Sequence, residues 1–303
     1  MSRAVVALDV GGTGIKSALV SESGAVLHTE RHATGAARGP DAVVETILDL
    51  AESLAGKARA DGLTPVAAGV TVPGVVDEAA GVAAWSANVG FRDVPLRDLV
   101  SARLGLPAAL GHDVRAGGLA EARLGSGRDF RQVLFVAIGT GIAAAHVVDG
   151  KGFSGAHGAA GELGHIVVRP GGTICGCGAR GCLEAEASAA GVSRRYATAT
   201  SSAATAAEVV ALAAAGDAAA TEVWSETVEV LADGLVTAQT LYDVEAMVLG
   251  GGLAEAGDAL LVPLRVAIRA RLRFQAEPAL VRAALGDEAG CVGAALLALD
   301  ARA

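Results

Sequence analysis

One pattern occurs twice in this chain, and it restricts the fold more than any single residue does. Ala4–Val10 is an apolar run, Gly11-Gly12-Thr13-Gly14 follows, and Ile15–Val20 resumes the apolar pattern. Val133–Ile138, Gly139-Thr140-Gly141 and Ile142–Val148 repeat it, and each copy ends in a polar turn, at Ser21–Gly24 and Asp149–Gly150. Short apolar runs bounded by glycine read as buried strands. A repeated strand–turn–strand unit predicts two similar halves, with both glycine turns facing a cleft. The glycines join strand to strand. A dinucleotide or Walker-type loop must instead open a helix, so the Rossmann reading is weak here. Such turns still expose backbone N–H groups that can bind anions.

The rest of the pattern is α/β. Asp41 to about Ala60 carries apolar residues at Val43, Val44, Ile47, Leu48, Leu50 and Leu54, which is helical spacing. Ala25–Thr29, Val66–Val72, Ala108–Gly111, Ala246–Leu249 and Leu280–Ala284 read as strands. Pro95–Leu104, Val114–Leu124, Ala256–Arg271 and Gly290–Ala301 read as helices, and the alanine-rich stretch from Glu184 to about Tyr242 is helix-rich. Asp113 stands at the expected N-cap of the Val114 helix. A length of 303 residues suits two domains. The expected division is 1–112 plus 289–303 as a small domain and 113–288 as a large one.

Three cysteines lie close together in Cys175-Gly-Cys177-Gly-Ala-Arg-Gly-Cys182, ten residues after His165. Thiolates and imidazole are the ligands of tetrahedral zinc, and one His with three Cys closes a structural shell. The competing reading is a disulfide or plain core cysteines. The spacing favours zinc, and nothing points to an oxidising compartment. Cys291 stands alone in an apolar segment and reads as core. Glu162 and Glu184 flank the cysteine loop, so a metal clip there would fix two carboxylates and an imidazole together.

Composition narrows the function. Aromatic residues are 3% and net charge is −9, which argues against base-stacking platforms and a phosphate-backbone binder. No secretory leader pattern opens the chain and no run is apolar enough to span a bilayer. The expected setting is soluble and cytoplasmic.

Asp9-Val-Gly-Gly-Thr13, Ile138-Gly-Thr-Gly141, Gly158-Ala-Ala-Gly-Glu162-Leu-Gly-His165, the cysteine loop ending Gly181-Cys-Leu-Glu184, and Leu249-Gly-Gly-Gly252 together resemble the ROK family of sugar kinases and sugar-responsive repressors. The resemblance spans essentially the whole chain. It implies an actin-like ATPase fold of two α/β domains and transfer of phosphate from ATP, with Mg²⁺, to the O6 hydroxyl of a hexose, glucose by default. Phosphoryl transfer needs a base near the acceptor and donors around the phosphates. By resemblance Asp113 is the base. On position alone it would be a plain N-cap. Asp9 would face Mg²⁺ and the phosphates. Gly11, Gly12, Thr13, Gly139, Thr140 and Gly141 would cradle the phosphates, and Gly250, Gly251 and Gly252 would pass close to the adenosine. Lys16 either supports the phosphates or is a solvated strand residue. Asn88, Glu162, His165 and Glu184 match the sugar-contacting positions, His165 also sharing zinc with Cys175, Cys177 and Cys182. A homodimer or homotetramer is expected.

Two residues depart from the family pattern. His112 stands where an Asn that contacts a sugar hydroxyl is usual, and Phe91 stands where many members carry Trp. The acceptor could therefore be N-acetylmannosamine, N-acetylglucosamine, fructose or allose. Gly12-Thr-Gly-Ile-Lys16 also resembles polyphosphate-using glucokinases, which tend to need a basic groove that a −9 chain disfavours. A repressor of this family carries a winged helix ahead of the kinase-like part, and with Asp9 nine residues from the start none is expected here. A non-catalytic sugar-binding relative is the other alternative.

Overall fold

The computed structural model describes residues 2–302. The chain forms two compact units. One contains everything up to Leu124, Lys151–Ala160 and the chain from Asp287 on; the other contains Gly125–Gly150 and Gly161–Gly286.

The first unit is built on β1 (Arg3–Val10), β2 (Gly14–Ser21), β3 (Val26–Ala33), β4 (Thr64–Val72) and β8 (Ala108–His112), in the order β3-β2-β1-β4-β8. β1 pairs antiparallel with β2 and parallel with β4. Between β4 and β8 the chain folds a small antiparallel sheet of β5 (Val75–Asp77), β6 (Val82–Trp85) and β7 (Arg92–Val94). Helix α1 (Pro40–Ala60) starts with Pro at its first position, where the missing N–H costs nothing, and α2 (Leu96–Leu104) stops at Gly105 in the left-handed region. Their apolar faces bury Val43, Ile47, Leu54, Leu96 and Val100 against Val6, Leu8 and Val70 of the sheet. β1 and β4 are buried on both sides and so read as unbroken apolar runs.

The opposite face takes α9 (Ala289–Asp300) and α3 (Asp113–Arg123). Helix α9 presents small residues, Ala294, Ala295 and Ala298, to Val5, Ala7 and Ala67. The approach is close enough to exclude side chains. A Cβ on Gly69 of β4 would lie 1.9 Å from the Ala294 carbonyl oxygen, and one on Gly293 would lie 2.1 Å from that of Ala116 in α3.

The second unit repeats the plan with β9 (Gln132–Ile138) and β10 (Ile142–Val148) as the antiparallel hairpin. After Gly150 the chain passes through the two-residue strand β11 (Lys151–Gly152). Strands β12 (Ala246–Gly250) and β13 (Ala279–Arg282) then add parallel beside β9, giving the order β10-β9-β12-β13. Helices α4 (Leu183–Ala187), α5 (Ala189–Thr200), α6 (Ala206–Ala214) and α7 (Ala218–Tyr242) connect β10 to β12, and α8 (Asp258–Arg271) connects β12 to β13. One continuous core holds them, including Leu134, Val136, Leu183, Leu231, Leu249 and Leu264. The duplicated hairpin expected from sequence is therefore present in both units.

Three expectations shift. The first unit extends past His112 to Leu124, because α3 packs on α9 through Gly293, and it also takes Lys151–Ala160. The N-cap of α3 is His112, whose Nδ1 accepts from the Arg115 N–H, and Asp113 is the first helical residue. The chain between β4 and β8 forms the small three-stranded sheet where no strand was expected, because strands of three or four residues are too short to show alternation. Among the described residues no helix is long and apolar enough to cross a membrane.

Gly293 tests the α9 contact. Replacing a helical Gly by Ala ordinarily stabilises by up to about 1 kcal/mol. Here the backbone carbonyl of Ala116 stands in the way, and overpacking costs about 1–3 kcal/mol. Gly293→Ala should lower the urea midpoint, and Gly293→Val should lower it further. A raised midpoint for the alanine variant would show that α9 and α3 pack loosely.

Candidate active site and metal centre

In the first unit, Asp9 lies near the end of β1 between Lys16 on β2 and Thr71 on β4. The Thr71 hydroxyl donates to Asp9 Oδ1 at 2.9 Å. Gly290, in the first turn of α9, presses on the other oxygen: a Cβ there would come 2.2 Å from Oδ2. Only glycine lets the helix start, with its positive dipole end, come this near the carboxylate. Burial pushes the Asp9 carboxyl above its ordinary range, and the charge of Asp113 pushes it further. Thr71 and Lys16 pull the other way.

Lys16 points to the α9 side. Its Nζ donates to Asp287 Oδ1 at 3.2 Å and to the Asp287 carbonyl at 3.3 Å, and Arg31 donates to the other oxygen of the same carboxylate at 2.6 Å. These two cations, Arg31 foremost, hold Asp287 below the usual carboxylate range. Lys16 is thus engaged in an ion pair in this structure. Cys291, expected in the core, is buried there, its thiol pushed up to about 12 by desolvation.

The first glycine turn closes with Gly11 N–H on the Gly14 carbonyl at 2.8 Å, while Thr34 Oγ1 donates to the Gly11 carbonyl at 2.6 Å. Thr13 is exposed. Asn88, exposed between β6 and β7, comes up beside Gly12: a Cβ on Gly12 would lie 3.1 Å from Cβ of Asn88. Phe91 is fully buried in the core.

Asp113 follows β8 directly. Its Oδ1 accepts from the Val114 N–H at 2.7 Å, and burial pushes its carboxyl up against the opposing pull of that bond and of Arg115. A partly buried carboxylate with a raised pKa that interacts with a second carboxylate is the pattern of an acid–base residue. His112, only 7% exposed, lies with Nδ1 3.4 Å from Asp113 Oδ1. Glu78 Oε1 accepts from the His112 N–H at 3.3 Å and from Arg115 Nε at 2.9 Å. Thr71, Glu78, Arg115, Asp287 and Gly290 were not singled out in the sequence. Only Arg115 left a trace there, as a cation among small helical residues.

In the second unit, the glycine turn closes with Gly139 N–H on the Gly141 carbonyl at 2.9 Å. Glu184 holds this turn. Its Oε2 accepts from the Ile142 N–H at 2.9 Å and occupies the space a Gly141 side chain would need, 2.4 Å from the built Cβ. Gly250 and Gly251 are required by packing, since a Cβ would meet the Phe135 ring at 2.7 Å and the Ile138 carbonyl at 2.6 Å respectively. Gly252 faces open space.

The cysteine loop folds as its glycines suggest. Gly178 and Gly181 have positive φ, and short bridges pair Val167 with Cys182 and Ile174 with Arg180. His165, Cys175, Cys177 and Cys182 bring their ligand atoms within 4.8 Å of one another. Cys177 Sγ lies 3.7 Å from Cys182 Sγ, and His165 Nδ1 lies 3.6 Å from Cys175 Sγ. A tetrahedral zinc with Zn–S of about 2.3 Å needs sulfur–sulfur edges of about 3.8 Å, so the donors fit that ion. No disulfide joins them. Burial raises the Cys182 thiol to about 12, a cost that a bound dication would remove by taking the thiolate. The second ring nitrogen of His165, Nε2, faces Glu162 Oε2 at 3.8 Å. Because α4 begins one residue after Cys182, the loop also sets where Glu184 projects.

Two duplicated hairpins with glycine turns, a partly buried carboxylate at the head of a helix and a Cys₃His cluster define a two-unit α/β phosphotransferase-type scaffold. The ROK family profile matches residues 5–301, and the chain belongs to the ROK family. The glucokinase of Streptomyces coelicolor is 31% identical over 317 aligned positions, covering 97% of each chain. Among solved structures, the ROK hexokinase from Thermus thermophilus superposes with a TM-score of 0.87 at 34% identity, covering 99% of each chain. The ROK glucokinase from Streptomyces griseus in complex with glucose and AMPPNP superposes with a TM-score of 0.83 at 31% identity, over 98% of this chain and 99% of that one.

The cluster makes a direct prediction. The purified protein should carry about one zinc per chain, and Cys177→Ser should lose it, since one missing thiolate opens the shell. Cys177 is exposed, so its loss should spare the core. Atomic absorption measures the metal. Full zinc content in Cys177→Ser would remove Cys177 from the ligand set.

Proposed function

We propose that the chain is an ATP-dependent hexokinase that phosphorylates its sugar at O6, with glucose as the principal acceptor. The observation that carries this is Asp113: a carboxylate fixed by the end of β8, partly buried, and charge-coupled to Asp9 at the end of β1. Full-length similarity to a kinase solved with glucose and an ATP analogue supports the same reading.

In this reading Asp113 accepts the proton of the O6 hydroxyl as that oxygen bonds to the γ-phosphorus of ATP and the bond from that phosphorus to the β,γ-bridging oxygen breaks, releasing ADP. Its raised pKa suits it to the task, because a base nearer neutrality takes up the proton more completely. Asp9, a hard oxygen donor whose burial already resists a bare negative charge, fits Mg²⁺. The dication would supply neutralisation of the phosphate charge. Gly11, Gly12 and Thr13, with Gly139, Thr140 and Gly141, would donate N–H and hydroxyl groups to phosphate oxygens, and Gly252, open on its surface, would lie toward the adenosine. Asn88, Glu162, His165 and Glu184 would bond the sugar hydroxyls. Glu184 has committed Oε2 to the Gly141 turn, so Oε1 would make that contact.

Asp113→Asn should lower kcat by about 10²-fold or more, with glucose binding retained. A coupled assay and calorimetry together measure this. Turnover within a few-fold of the parent would reduce Asp113 to a helix-start residue.

His112 bears on the acceptor. With Nδ1 accepting the Arg115 N–H, that nitrogen cannot also serve a sugar hydroxyl. Asparagine caps helices as well and offers both a donor and an acceptor. His112→Asn should therefore leave the fold intact and shift the ratio of kcat/KM between glucose and a competing hexose by about 10-fold. A ratio that stays constant across a sugar panel would mean His112 does not read the acceptor.

A further inference from the structure

We propose that Arg115 is a positioning residue that ties the base Asp113 to the segment leading into Glu162; the proposal rests on the sugar-kinase reading above. Arg115 lies two residues after Asp113 in the first turn of α3 and is only 5% exposed. Its Nε donates to Glu78 Oε1 at 2.9 Å, and its Nη1 donates to the Gly158 carbonyl at 2.9 Å. Gly158 opens the Gly158–His165 motif, four residues before Glu162. It has φ +72°, and a Cβ there would come 2.5 Å from the Val76 carbonyl of β5. Steric fit and a charged hydrogen bond therefore hold the same carbonyl in one place. Glu78 completes the link by accepting the His112 N–H, the residue just before the base.

Stability alone does not account for this arginine. Its Nη2 is buried without a hydrogen-bond partner among the described residues. A buried donor left unpaired is destabilising, and an apolar pair in place of Arg115 and Glu78 would avoid that loss. Departures of this kind from the stable solution concentrate at functional positions. The charged groups around Asp113 are Asp9 from β1, His112 from β8, Arg115 from its own helix and, behind His112, Glu78. Arg115 is the cation of this set that opposes the burial of Asp113.

Three variants test the proposal: Arg115→Lys, Arg115→Gln, and the double variant Glu78→Gln/Arg115→Met, which removes both charges together. For Arg115→Gln the acid limb of the kcat/KM profile should move up by about one pH unit, because Asp113 loses its opposing cation. Sugar KM should also rise about 10-fold, as the Gly158 segment loses its anchor. Arg115→Lys should keep the limb but not the KM, since an ammonium carries the charge without the fork. The double variant should regain the thermal stability that Arg115→Gln loses, yet keep both kinetic defects. If restoring stability also restored the limb and the KM, the role would be structural only and the proposal would fall. Hydrogen exchange of the 155–162 amides reads the anchor without any turnover: exchange should quicken in Arg115→Gln and in the double variant, and unchanged exchange overturns the anchor. A parent protein inactive toward every sugar, with the exchange result as expected, would fail the kinase reading while leaving the anchor in place.

Discussion

Two carboxylates, Asp9 and Asp113, are largely withdrawn from solvent in the same unit, and the charge of Asp113 raises the cost of ionising Asp9. Much of the surrounding structure answers that constraint. Thr71 donates to Asp9, the start of α9 comes within reach only because Gly290 has no side chain, and Arg115 sets a cation beside Asp113. Desolvation still dominates in both groups. In the proposed reading a dication would be added at Asp9 and a proton would arrive at Asp113, which is the charge pattern of phosphoryl transfer.

The second unit solves a different problem. Its glycine turn is held from two sides. The Ala189 N–H at the start of α5 donates to the Gly139 carbonyl, and Glu184 takes the Ile142 N–H and fills the place of a side chain at Gly141. Glu184 is fixed in turn because α4 begins at the end of the cysteine loop. A zinc ion in that loop would therefore act on the turn by mechanical means, through three residues of chain and one carboxylate. The ion need not touch substrate to matter.

The small helix α9 shows how the two problems connect to stability. It carries Ala and Gly where most buried helices carry Leu, so it gains less from apolar area. What it gains is proximity: to β4 through Gly69, to α3 through Gly293, and to Asp9 through Gly290. Those approaches fix the heads of α3 and α9 on the sheet, and with them the carboxylates at the strand ends.

How much of this was legible in the sequence differs by kind. Local patterns were: the duplicated strand–turn–strand unit, the helix expected from Asp41 to about Ala60, and the Cys₃His spacing are each set by neighbours in the chain, through apolar periodicity and ligand geometry. The small sheet of β5 to β7 was not, because strands of three or four residues show no period. Nor was the cap of α3, where histidine does the work that aspartate was expected to do. The partners of the site residues were the least legible. Thr71 on Asp9, Asp287 on Lys16, Glu184 under Gly141 and Arg115 on Gly158 are separated by 62, 271, 43 and 43 positions, and no local rule links residues that far apart. The sequence by itself determined which residues can carry charge, bind metal or turn sharply. Only the tertiary structure decided which of them are desolvated together, because burial and Coulomb coupling depend on distance in space, not along the chain.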